Sequence, residues 1–232
     1  MSLDHTGYRL TARHAGCAAR RVLAPLLLTA AAAAATAAPS AADEAWTRHE
    51  GTAPQTAPHG LRCSDAVVIG GRQVALVCHA PGRSGVGLHI ASGSAATAPL
   101  QRLETGTGAF KVLLTLYTPA EGAPGCPPAA AVRCTAGVVL ADVYDETCMG
   151  TVVLAVDPSG RVRRAGHISE VLARNGETAC TGREAAVRAS PAGAVAITLV
   201  GDAVRQTPAG RYVSAGRRPV VYELRGGLLR KR

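Results

Sequence analysis

From residue 61 onward, apolar positions come in short runs separated by Gly, Pro, Asn and Asp, the rhythm of strands cut by turns. Residues 65–69 and 72–79 flank Gly70-Gly71, the signature of a two-residue hairpin. Residues 86–90 form a short apolar run, and 91–98 are small and polar, a loop. The stretch FKVLLTLYT (110–118) lacks clean alternation and ends at Pro119; its length and its Thr and Tyr predict a strand buried on both faces. Residues 137–144 and 151–156 are the next predicted strands.

Asp157-Pro158-Ser159-Gly160 predicts a type I turn. Ser190-Pro191-Ala192-Gly193 and Thr207-Pro208-Ala209-Gly210 repeat the device between the runs 185–189, 194–200 and 211–215. The chain closes with 220–224, Arg225-Gly226-Gly227 and 228–232. One helix is expected, over 167–174, capped by Ser169 and ended by Asn175-Gly176. The three Pro-x-Gly turns lie 33 and 17 residues apart, so they mark no fixed-period repeat. The expected fold is all-β, mainly an antiparallel meander arranged as a sandwich or open barrel, with at most that one short helix.

The beginning of the chain reads differently. Arg9, Arg13, Arg20 and Arg21 precede an apolar run, 22–38, that ends in Pro39-Ser40-Ala41-Ala42 and gives way to Asp43-Glu44. Basic start, apolar middle and small-residue boundary are the order of an export signal. The run is 17 residues, at the lower limit for a membrane span, and its Ala-rich half is weakly apolar. Residues 1–42 are therefore expected to be a cleaved signal peptide, leaving no stable membrane span. Residues 43–60, with little apolar content, are expected to be a flexible leader, and 61–232 a single β-rich domain. The expected location is the periplasm or the exterior.

Composition narrows the partners. The chain carries a formal charge of +9, and its only lysines are Lys111 and Lys231. Aromatic residues make up 3%, with one Trp and one Phe, so Ala, Val and Leu must fill the core. Small side chains bury less area each, which makes covalent staples useful. The scarcity of aromatics argues against sugar binding by ring stacking. After export, the acidic surfaces available to an Arg-rich domain belong to the envelope, so no nucleic acid partner is expected.

Cysteine usage fits the same compartment. Cys17 precedes the apolar run; Cys63, Cys78, Cys126, Cys134, Cys148 and Cys180 follow it, an even number. With a two-residue turn at Gly70-Gly71, paired residue numbers sum to 141, and Cys63 and Cys78 satisfy that sum. A longer turn would shift the register and break the pair. Cys126 and Cys134 bracket a proline-rich stretch and are natural partners; Cys148 and Cys180 remain by exclusion. None of the spacings is C-x-x-C, so no metal site is expected.

Candidate chemistry is sparse. Asp142, Asp145 and Glu146 crowd into five residues, a pattern that suits a calcium ion, an acid–base pair or a solvated loop. Ser64 and His79 fall on one face of the first hairpin, the only hint of a hydrolase, and no Gly-x-Ser-x-Gly elbow accompanies them. The Gly-rich stretches lack the Gly-Lys-Ser/Thr ending of a phosphate loop, so no cofactor is expected. The loop 118–131, stiffened by Pro119, Pro124, Pro127 and Pro128 and carrying Glu121, is the expected contact surface, with Asp142, Asp145 and Glu146 second. The sequence thus points to a non-catalytic binding or accessory module of the envelope, its partner an envelope protein or cell-wall component; the alternative is a secreted hydrolase.

Overall fold

Residues 137–143 and 151–156 carry apolar side chains on both faces of a strand, an arrangement that only a middle layer buries. The computed structural model, which describes residues 46–79, 85–91, 99–103, 109–120, 135–174, 177–190, 193–216 and 219–232, places them in such a layer. The strands are β1 (Thr47–Glu50), β2 (Arg62–Ile69), β3 (Arg72–His79), β4 (Gly87–Ala91), β5 (Leu100–Leu103) and β6 (Lys111–Thr118). They continue with β7 (Gly137–Asp145), β8 (Thr147–Val156), β9 (Val162–Ile168), β10 (Val171–Arg174), β11 (Glu177–Ala179) and β12 (Ala185–Ser190). The last are β13 (Ala194–Leu199), β14 (Asp202–Gln206), β15 (Tyr212–Ser214), β16 (Val220–Arg225) and β17 (Leu228–Lys231). All pairings are antiparallel, in four sheets ordered β2-β3-β4-β5, β1-β6-β7-β8-β9, β11-β10-β14-β15 and β12-β13-β16-β17.

The five-stranded sheet lies between two cores. Val139, Ala141, Val152 and Leu154 pack with Val74, Val77, Leu88 and Ile90 of the β2–β5 sheet. The alternate residues, Val138, Leu140 and Val153, pack with Val187, Ile197, Val220 and Leu224 on the other side, joined by Leu172 and Ala203. The period of two along β7 and β8 therefore divides one apolar run between two cores.

The turns follow their chemistry. Gly70 and Gly71 have φ of 57° and 77°, the left-handed pair of a type I′ hairpin. Ile69 faces Arg72 and Val68 faces Gln73, as the sum of 141 requires. A bulge then shifts the register by one residue, and a second bulge on β2 restores it, so Cys63 faces Cys78. Those two cysteines are disulfide-bonded, and so are Cys148 and Cys180. Cys126 and Cys134 lie outside the described residues.

Two of the Pro-x-Gly turns, 157–160 and 207–210, share one construction. Gly160 N–H donates to the Asp157 carbonyl at 2.8 Å, and Gly210 N–H to that of Thr207 at 2.9 Å. The first side chain closes each turn: Asp157 Oδ1 accepts from Ser159 N and Arg161 N, and Thr207 Oγ1 from Arg211 N. The closing glycines, Gly160, Gly193 and Gly210, all have φ between 72° and 79°.

Two expectations differ from the structure. The helix over 167–174 is absent; its residues form the end of β9 and β10 instead. Val171 and Leu172 are buried there, and Leu172 pairs with both Ala203 and Ala179. Arg174 faces Glu177, so β10 pairs with β11, while Asn175-Gly176, read as a helix stop, lie outside the described residues. Residues 46–60 of the expected leader include β1, which pairs with β6. Trp46 packs against the second core, and Thr52 bridges Ala66.

Candidate binding site

Asp142 sits in the middle of the apolar strand β7, and its side chain lies on the side of Leu140, toward the second core. It is 1% exposed. A carboxylate there must find donors or lose its charge. Thr151 Oγ1 donates to Asp142 Oδ1 at 2.6 Å, and Gly182 N–H donates to the same oxygen at 2.8 Å. Thr181 Oγ1 lies 2.8 Å from Thr151 Oγ1. Burial nevertheless dominates and pushes the Asp142 carboxyl up to about 6. The approach is close: a Cβ on Gly182 would lie 2.6 Å from Asp142 Oδ1, so only glycine lets the backbone reach the carboxylate.

The segment after Cys180 is thus held from several sides. The Cys148–Cys180 bond ties its start to β8. Asp142 and Thr151 hold Thr181 and Gly182. Tyr117 Oη donates to the carbonyls of Gly182 at 2.8 Å and Ala185 at 3.0 Å. Burial first, then the charge of Asp142, raises the Tyr117 hydroxyl to about 12 against the opposing effect of Arg48, so it stays a donor at neutral pH. Arg48 Nη1 donates to the Arg183 carbonyl at 2.6 Å, and Arg174 pairs with Glu184. Arg183 and Glu184 remain exposed.

These groups border an open cleft of about 690 Å³. Trp46 supplies aromatic surface, Arg48, Arg183 and Arg188 supply positive charge, and Glu50 and Glu184 supply negative charge. Val200, 55% exposed, adds an apolar lip. Such a mixture suits recognition of a polar surface better than a buried reaction centre.

The acidic trio divides. Asp142 is buried among donors of its own chain; Asp145, three residues on, falls on the other face of β7; Glu146 is exposed at the turn with φ of 52°. The three do not converge on one point, which removes the geometry for a shared calcium ion or acid–base pair. Ser64 sits at the unpaired position of the β2 bulge and His79 faces Arg62; both are exposed, and they are not hydrogen-bonded to each other. Pro119 is exposed just past β6, while Glu121, Pro124, Pro127 and Pro128 lie outside the described residues.

Sequence reasoning missed Arg48, Tyr117, Thr151, Gly182 and Arg183. One signal was available: an acid inside an apolar run predicted to be a strand implies a buried carboxylate that must recruit donors. Comparison with protein-family models, characterised proteins and solved structures finds no match.

Proposed function

We propose that the chain is an exported, disulfide-stapled β domain that works as a non-catalytic binding module of the cell envelope. Its partner is an envelope protein or a wall component. The order of basic, apolar and small residues before Asp43 supports export, and so do intramolecular disulfides, which persist in oxidising compartments. Intact-mass measurement of protein from the periplasm or medium checks this reading: the expected species begins at Asp43, with cleavage at 37–38 the second choice. A full-length species in the membrane fraction contradicts it.

The observation that carries the binding role is the 181–184 segment. Its backbone is fixed by Asp142, Tyr117, Arg48 and a disulfide, while Arg183 and Glu184 face solvent beside the cleft. A segment ordered before it meets a partner loses little entropy on binding. The test is chemical cross-linking capture from envelope extract, with the wild-type protein, Arg183→Ala and a variant carrying a Gly/Ser linker in place of residues 119–125. The reading expects Arg183→Ala to lower capture at least fivefold at unchanged melting temperature. The linker variant decides whether the proline-rich loop contributes a second contact. Capture that neither change affects overturns the assignment of the surface.

A further inference from the structure

The β1 edge of the five-stranded sheet is closed at two points and open between them. Gly51 N–H donates inward, to the Leu114 carbonyl of β6 at 3.1 Å. Main-chain direction alternates along a strand. Thr47 and His49 therefore share the side of Gly51, while Trp46, Arg48, Glu50 and Thr52 point away from β6. Two of these four find partners there. Trp46 N–H donates to the Val187 carbonyl of β12 at 3.0 Å, and Thr52 exchanges two 2.8 Å bonds with Ala66 of β2. Each confirms the alternation independently.

Arg48 and Glu50 lie between those anchors. Among the described residues, no hydrogen bond reaches their backbone N–H or carbonyl groups, and all of β1 is exposed. The result is a window of two donors and two acceptors, the residues about 6.8 Å apart along the strand. It borders the cleft that Arg48 and Glu50 line. Trp46 and Thr52 are about 20 Å apart at strand rise, and the outer edge of each is already covered by another strand. A long added strand would meet β12 at one end and β2 at the other. A short extended segment, of about three or four residues, fits between them. An edge this short also resists open-ended pairing of the protein with itself.

We propose that this window binds a short extended segment of a partner polypeptide by strand addition to Arg48 and Glu50. The inference rests on the binding role proposed above and narrows its partner to a protein. Alternating N–H and carbonyl groups at strand spacing complement another main chain group for group, which a sugar polymer does not. Main-chain pairing supplies affinity, and the side chains beside it select the sequence. The cleft walls carry both signs of charge, Arg183 and Arg188 against Glu50 and Glu184. That mixture complements a segment of mixed polar side chains and not a polymer of one sign. Arg48 Nη1 donates to the Arg183 carbonyl at 2.6 Å, so the window and the 181–184 segment border one cleft.

The test is selection of phage-displayed random linear heptapeptides on the purified protein, followed by titration calorimetry of the selected peptides made synthetically. Saturable binding is expected. N-methylating successive peptide residues in turn should weaken it at least tenfold at alternate positions and less than threefold between them. Glu50→Pro, which removes an outward N–H and no sheet bond, should weaken binding at least tenfold more than Glu50→Ala. Absence of enriched peptides overturns strand addition, and so does binding indifferent to N-methylation. If envelope capture still depends on Arg183 in either case, the binding role stands and only the window falls. Failure of the binding role itself is read separately, from capture that Arg183→Ala leaves unchanged. If Glu50→Pro does not fold, the N-methyl series on wild-type protein decides by itself.

Discussion

Asp142 and Glu170 are both buried carboxylates, 1% and 4% exposed, and they titrate in opposite directions. Asp142 is held by neutral donors, a hydroxyl and a backbone N–H, and burial wins: its carboxyl rises to about 6. Burial also acts on Glu170, but Lys231 Nζ at 2.6 Å and the Tyr222 hydroxyl outweigh it, and the group falls below its ordinary value. Hydrogen bonds from Lys231 and Tyr222 offset the burial of Glu170, whereas those from Thr151 and Gly182 do not offset the deeper burial of Asp142. The two acids also have different tasks. Asp142 docks the segment that borders the cleft; Glu170 docks Lys231 of the last strand.

The largest effect is expected where a charge would lose its partner. Glu170→Ala leaves the buried Tyr222 hydroxyl without its acceptor and Lys231 with only the Ala215 carbonyl, and should cost about 4 kcal/mol, read from a urea midpoint. Lys231→Met sharpens the comparison: Glu170 should then titrate above its ordinary value, as Asp142 does. A Glu170 that stays depressed without Lys231 would break the comparison.

Next comes the staple that ties Cys180 to β8 and packs with Val171. The Cys148–Cys180 bond spans 32 residues and Cys63–Cys78 spans 15. By chain entropy, replacing the first pair with alanines should cost about 3.7 kcal/mol and the second about 3. Thermal melts of the two double variants give the order directly.

The third effect is a pH slope. The folded value of Asp142, about 6, exceeds its ordinary 3.8. Its stability contribution is therefore complete below 3.8 and is lost as pH rises through about 6. The loss is about 3 kcal/mol by pH 7, at 1.36 kcal/mol per unit. Asp142→Asn keeps Oδ1 as the acceptor and removes the charge, so this slope should vanish. Glu170 has the reverse sign: its contribution is present above its ordinary 4.5 and is lost as pH falls through its lower folded value. Denaturation curves between pH 3 and 8 separate the two carboxylates.

The smallest effect is conformational. Glu146 is the one non-glycine residue with positive φ among the described residues, at 52°. Glu146→Gly should raise stability by about 1 kcal/mol, the strain relieved less the entropy added, and leave capture by Arg183 unchanged.

Local chemistry made much of the fold legible. Gly70-Gly71 set a hairpin register that brings Cys63 opposite Cys78, and two bulges that no short-range rule foretells happen to cancel. The Pro-x-Gly turns and the apolar runs of β6, β7 and β8 could be read for the same reason. Leu100–Leu103, Asp202–Gln206 and Thr47–Glu50 could not, because these short, largely exposed strands exist through distant pairings. The helix expected at 167–174 was a hairpin signal misread: Asn-Gly ends helices and also connects strands, and Val171 and Leu172 were buried by tertiary packing. At the candidate site, sequence proximity groups Asp142 with Asp145 and Glu146. Its true neighbours, Thr151 and Gly182, are nine and forty residues away and meet it only once the sheets pair.

Residues 181–184 are expected to be ordered by Asp142 before any partner binds, and amide hydrogen exchange at Gly182 reads that order. Protection of the Gly182 N–H is expected to match that of Val153 in the five-stranded sheet, with a large loss in Asp142→Ala. Exchange at Gly182 as fast as at Gly226, in the exposed β16–β17 turn, would contradict it.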